Sequence, residues 1–138
     1  MRAGALVLMA AAGLSACRSN ETWPFAVGES EGTVLVTERP EAAGRLRNAT
    51  NAYGVFFVER KCLQVRVEDE VFTPVLPAGT TLAEGGTAML VGGRRLATGV
   101  RYSLPFASEV GTKPGAAAKA IGVPDECSQR LMSMGAPA

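Results

Sequence analysis

The chain has 138 residues, 14 basic and 13 acidic side chains and no histidine, for a formal net charge of +1. A near-neutral chain without a long basic run is a poor candidate for gripping nucleic acid or anionic lipid through bulk charge. The absence of histidine removes the commonest general base and the commonest transition-metal ligand, which argues against an enzyme and against a histidine-built metal or cofactor site; no cofactor is expected.

Residues 1–16 have the layout of a secretory signal: Arg2 near the start, about a dozen apolar or small residues, then small residues before a cut. The apolar stretch is too short for a membrane-spanning helix, which needs about 20 residues. A buried core helix fits less well, because Gly4 and Gly13 weaken a helix and a polar tail follows at once. Leu14-Ser15-Ala16-Cys17 resembles the lipobox of bacterial lipoproteins. That resemblance implies a diacylglyceryl group on the Cys17 thiol, cleavage just before it, and acylation of the new amine. Arg18, in place of an aspartate, implies the outer membrane over the inner, with the domain facing the periplasm. Two or more acyl chains, at about 0.8 kcal/mol per buried methylene, make such an anchor stable.

Cleavage before Cys17 leaves 122 residues, enough for one compact domain, and takes Arg2 away so that 13 basic side chains face 13 acidic ones. The expected organisation is a signal peptide over 1–16, the lipidated cysteine and its tether over 17–22, one β-rich domain over 23–134 and a short tail over 135–138. Cys62 and Cys127 then remain, an even number in an oxidising compartment, which favours a disulfide over two free thiols. Two thiolates fall short of the four ligands of a structural zinc site.

The tether RSNET spans at most about 18 Å, so the domain sits close to the bilayer. Trp23-Pro24-Phe25 packs on the body of the domain, or else rests at the lipid interface, where tryptophan is favoured. Thr33 to Thr37 reads as a strand begun after Gly32 and ended before Pro40. Glu41 to Ala52 fits a helical turn, a strand around Leu46 or plain loop equally well.

Tyr53 to Val58 reads as a strand, Glu59-Arg60-Lys61 as a charged turn, and Cys62 to Val67 as the returning strand with Leu63, Val65 and Val67 inward and Gln64 and Arg66 exposed. Cys62 then requires a bulge or a strand end. Glu68-Asp69-Glu70 is a solvated hairpin tip leading into Val71 to Leu76. Pro77-Ala78-Gly79 suits a type I turn with proline second and glycine fourth. Thr87 to Val91 and Arg94 to Thr98 flank Gly92-Gly93, a two-residue hairpin loop, and Val100 to Leu104 adds a strand that stops before Pro105.

The expected fold is all-β, a small antiparallel barrel or sandwich of six to seven short strands, with a C-terminal α-helix. Closure into a barrel would remove exposed strand edges. The helix is expected to open at Pro124-Asp125-Glu126, where proline suits the first turn and the acids oppose the dipole. Cys127, Leu131 and Met134 would share one face at i, i+4 and i+7. Residues 107–123 read as flexible loop with one helical turn around Ala116 to Ile121.

The run from Cys62-Leu63 through Thr73-Pro74-Val75-Leu76-Pro77-Ala78-Gly79-Thr80 resembles small exported bacterial proteins with a "CL" strand, a "PV-P-G-T" strand and turn, a glycine-rich hairpin and a closing cysteine. The resemblance implies a small β-barrel and carries no activity. Thr98-Gly99-Val100 stands where such proteins often have a Gly-Asp pair, so no role attached to that acid transfers.

Chemistry is thinly marked. Glu68, Asp69 and Glu70 lack the spaced oxygen ligands and ordering glycine of a calcium loop. Ser103, Ser108 and Ser128 have no histidine partner, and Lys113 lies in a flexible stretch, so a serine hydrolase is poorly supported. Arg94, Arg95 and Arg101 are the candidate binding patch, for an anionic glycan or lipid head group, against the alternative of a solvent face paired with nearby acids. Asn48-Ala49-Thr50 matches a glycan acceptor by chance. The expected function is a lipid-anchored, non-catalytic binding or structural module of the envelope, whose partner is an envelope protein or a cell-wall component. The alternative is an inhibitor of a cell-wall lytic enzyme, in the manner of small lipid-anchored barrels that block lysozyme.

Overall fold

The computed structural model describes residues 23–42 and 49–137. The candidate lipidation site Cys17, the signal segment and residues 43–48 of the undecided stretch 41–52 lie outside the described residues.

Among the described residues, ten strands and one short α-helix make the fold. The strands are β1 (Phe25–Ser30), β2 (Thr33–Glu38), β3 (Thr50–Glu59), β4 (Cys62–Val67), β5 (Glu70–Leu76), β6 (Thr81–Ala83), β7 (Ala88–Val91), β8 (Arg94–Ala97), β9 (Arg101–Glu109) and β10 (Leu131–Met134), and the helix is α1 (Ala116–Ile121). The all-β expectation holds, with ten described strands against the six to seven expected. Phe25–Ser30 and Thr81–Ala83 carry no strand signal in the sequence because neither is rich in β-branched residues. Thr81–Ala83 has only three residues, and Phe25–Ser30 carries Gly28, Glu29 and Ser30 in its second half.

The pairings close a ring. β3 pairs antiparallel with β4 and with β9, β4 continues antiparallel into β5, and β10 bridges β5 and β9. β4 and β5 stay paired only near their shared hairpin, from Val65↔Phe72 to Val67↔Glu70. Beyond it β2 meets both, through Val34↔Cys62 and Val36↔Val75, and carries β1 on its outer edge. The sheet is therefore mixed rather than purely antiparallel: β2 runs parallel to β4 and β5, and β10 runs parallel to β5.

Hairpin chemistry sets the registers. The tips Glu31-Gly32, Arg60-Lys61, Glu68-Asp69 and Gly92-Gly93 each place two successive residues at positive φ, the requirement of the primed turn that matches strand twist. The Pro77 turn is displaced by one residue from the expected frame. Its bond runs from Thr80 N–H to the Pro77 carbonyl, with Gly79 third and at φ 84°, a left-handed position that a type I turn does not contain.

The ring encloses one apolar core and carries another on its outside. Phe56, Leu63, Val65, Phe72, Leu104 and Phe106 point inward, joined by Leu82, Met89, Val91 and Leu96 from the β6–β7–β8 sheet. Tyr102 ties that small sheet to the ring by accepting the Ala97 N–H at 2.9 Å. Glycine is required at Gly54, since a Cβ there would lie 2.9 Å from Phe106 Cζ and 3.1 Å from Val65 Cγ2. On the outer face Phe25, Val36, Val75, Ala117, Ala118, Val123 and Leu131 pack around the Cys62–Cys127 disulfide, with Trp23 against them. Trp23-Pro24-Phe25 thus packs on the body, as expected.

The chain after Pro124 is not a helix. A single turn, Cys127 N–H to the Pro124 carbonyl, is followed by extended chain and β10. Leu131 and Met134, expected on one helical face, go to different cores, Leu131 outside and Met134 inside the ring. Two open strand edges decide this, because Leu131–Met134 fills the gap between β5 and β9 and bonds to both, whereas a helix would leave both edges unpaired. The helix that does form is Ala116–Ile121. β9 runs through Pro105 to Glu109 instead of stopping before the proline. Pro105 lacks only its N–H, and its carbonyl accepts the Gly135 N–H at 2.8 Å.

Arg130, where the chain joins β10, forks onto Glu109 of β9 at 2.8 and 3.1 Å, reaches Glu70 of β5 at 2.6 Å, and lies 4.6 Å over the Phe72 ring. Hydrogen bonding from Arg130 holds the Glu109 carboxyl below its ordinary value of 4.5. A carboxylate depressed in the folded state contributes stability that is complete above its unfolded pKa and is lost as pH falls through the folded value. Below about pH 4.5 the wild-type Tm should therefore fall more steeply than that of Glu109→Gln, by about a few degrees given the partial exposure of the pair. Parallel pH profiles of the two proteins in thermal unfolding would remove this role.

Candidate functional site

Cys62, for which a bulge or a strand end was required, is the first residue of β4, and Gln64, expected to be exposed, is buried with it on the face of β4 opposite Leu63 and Val65. The correction has a covering segment as its cause. Residues 116–130 lie over that face, and Gln64 is its polar anchor: its Oε1 accepts the Ser128 N–H at 2.8 Å and its Nε2 donates to Thr73 Oγ1 at 2.7 Å. Thr73 Oγ1 in turn donates to the Ser128 carbonyl at 2.7 Å, and Ser128 Oγ donates to the Val71 carbonyl at 3.0 Å. Ser128, weighed as a nucleophile, is therefore part of a structural network.

The cover ends one strand position further on. Arg66 is exposed on the same face, and from there the outer surface of β4, β3 and β9 lies open. The alternation of β3 puts Phe56 fully inside and Tyr53, Val55 and Phe57 outside, with Tyr53 55% exposed. Register places Val55 opposite Arg66 of β4 on one side and opposite Arg101 of β9 on the other. One transverse row therefore reads Arg66, Val55, Arg101, with neighbouring Cβ atoms about 5 Å apart.

Each arginine leans on an aromatic ring of the central strand. The Arg101 guanidinium lies 4.0 Å from the Tyr53 centroid, and that of Arg66 lies 5.3 Å from the Phe57 centroid. Among the described residues neither has a carboxylate within 4.0 Å. The row borders an open cleft of about 530 Å³, whose rim includes Asn51 and the hairpin tip Glu68-Asp69. A smaller recess of about 430 Å³ lies beside the disulfide, between the Arg60-Lys61 turn and Pro124 and Glu126.

The three arginines singled out in the sequence have different surroundings. Arg101 borders the cleft. Arg95 is held in a fork by Glu84, at 2.7 and 2.9 Å, and their hydrogen bonding raises the arginine's pKa and lowers the carboxyl's. Arg94 stands beside the Gly92-Gly93 turn, on β8 with Arg95. Arg66 is the cleft residue that reading the chain by basic runs overlooks. Counting registers outward from the Glu68-Asp69 turn, across β4 and β3, is the signal that finds it. Among the described residues no group of three acidic or cysteine side chains is placed to hold a metal ion, and Glu68 and Asp69 form the exposed hairpin tip.

The arrangement suits recognition. Stacking on an aromatic face fixes each guanidinium's plane and leaves its N–H edge free for a carboxylate or phosphate. No protein-family model matches the chain, and no curated protein or solved structure shows significant similarity to it.

Proposed function

We propose that this protein is a lipid-anchored binding module of the bacterial envelope, tethered through Cys17 to the periplasmic face of the outer membrane. The observation that carries the reading is the Leu14-Ser15-Ala16-Cys17 run, placed between an apolar leader and a polar tether of five residues. Two further features support it. The Cys62–Cys127 disulfide suits an oxidising compartment, and two stacked arginines beside an open cleft, neither with a described carboxylate within 4.0 Å, suit binding better than catalysis. Function on this reading is non-catalytic: the barrel holds a cell-wall component or another envelope protein close to the bilayer.

Expressed in bacterial cells fed radiolabelled palmitate, the full chain should take up label and fractionate with the outer membrane, and Cys17→Ser should do neither. Label retained by Cys17→Ser, or an intact Met1 in the mature protein, overturns the anchor. Equimolar inhibition of a muramidase by the purified protein would instead make it an inhibitor of a lytic enzyme.

A further inference from the structure

We infer that the cleft between the Glu68-Asp69 hairpin and β9 binds an extended acidic peptide segment, held by Arg66 and Arg101 as two carboxylate forks on either side of Val55. The inference rests on the binding-module reading above and names that module's ligand chemistry.

Charge complementarity carries it first. The two arginines face the same open surface from flanking strands, in register with one residue, and neither is neutralised by a described carboxylate. Both are already stacked, so less side-chain freedom is lost when an anion binds than for an arginine free in water.

Geometry then sets the ligand's spacing. Arg66 and Arg101 lie two strand spacings apart and lean toward opposite ends of β3, Arg66 toward Phe57 and Arg101 toward Tyr53. Bridging them takes a ligand with two anionic groups separated by roughly 10 Å or more, the reach of about three to four residues of extended peptide. Between them the surface is Val55, an apolar side chain that favours an apolar group in the middle of the ligand.

The same features weigh against other anions. A uronic-acid polymer would set hydroxyls over Val55 without partners, and both ring faces that a sugar would stack on are shared with guanidinium groups. A phospholipid surface would press its negative charge against Glu68 and Asp69 on the rim, whereas a peptide can turn amide N–H groups toward those carboxylates.

The test uses the full chain purified in detergent and a fluorescent pentapeptide with glutamate at positions 1 and 5 and valine at position 3. Its glutamine counterpart and polygalacturonate serve as comparison probes. Binding of the glutamate peptide at low salt is expected. It should weaken about tenfold or more for each of Arg66→Ala and Arg101→Ala, because a hydrogen bond to a charged group exceeds one tenfold step. Lys119→Ala, which removes one exposed charge from α1, should bind as wild type does. Arg66→Lys with Arg101→Lys, which keeps the charge but loses the fork, should recover only part of the affinity. Thermal unfolding run alongside confirms that the variants are folded. Equal binding of the two peptides, equal binding by the double alanine variant, or preference for polygalacturonate would each overturn the inference. Palmitate labelling is independent of this readout, so loss of the anchor with peptide binding intact would sink the location and leave the cleft standing.

Discussion

Replacing Cys62 and Cys127 together by serine should lower the stability of the domain by about 4 kcal/mol, since the bridge closes a loop of 65 residues and the entropy removed from the unfolded chain grows with loop length. For a domain of this size that corresponds to a fall in Tm of roughly 15 °C. Serine brings a polar hydroxyl to two positions only 2% and 3% exposed, so the pair Cys62→Ala and Cys127→Ala should suffer slightly less. Thermal unfolding of the oxidised protein, the reduced protein and both double variants measures the effect. A reduced protein as stable as the oxidised one would remove the disulfide from the account of the fold. The bridge also pins the segment that covers β4 and β5, so its loss should expose amides in 123–130 to hydrogen exchange before those of β3 or β9.

Gln64→Leu should cost about 3 kcal/mol even though it makes the strand more apolar. Leucine of similar volume would leave the half-buried Ser128 N–H without its acceptor and the buried Thr73 Oγ1 without its donor. Arg66→Gln, two residues along and on the same face, should stay within about 0.5 kcal/mol of wild type, because nothing buried depends on it. Chemical denaturation with equal m values in all three proteins is the measurement. A Gln64→Leu protein as stable as wild type would mean that the network is replaceable by packing.

These two residues show why half of one sheet face is closed and the other half open. Gln64 holds Ser128, and through it the chain from α1 to β10, over the outer surface of the ring. Arg66 lies just past the edge of that cover, and the row of Arg66, half-buried Val55 and Arg101 begins there. A polar residue in the middle of β4 thus marks the boundary between the second core and the candidate binding surface.

The sequence by itself determined the local parts. Alternation and turn residues gave the strands from Thr33 to Leu76 and the glycine hairpin, since those choices depend on neighbours two to four residues away. The expectation that Cys17 is set aside left Cys62 and Cys127 to pair, and closely spaced short strands with turn residues between them pointed to the all-β class. The tertiary structure alone decided the rest. Gln64 has the polarity of an exposed residue and is buried because a segment 64 residues away lies across it. Leu131 and Met134 fit a helical period as well as a strand, and became a strand because β5 and β9 presented open edges that only extended chain could satisfy. Arg66 and Arg101, far apart in the chain, came together through two registers counted from opposite sides of Val55. In each case the deciding energy lies in contacts between residues distant in sequence, and no local pattern encodes those.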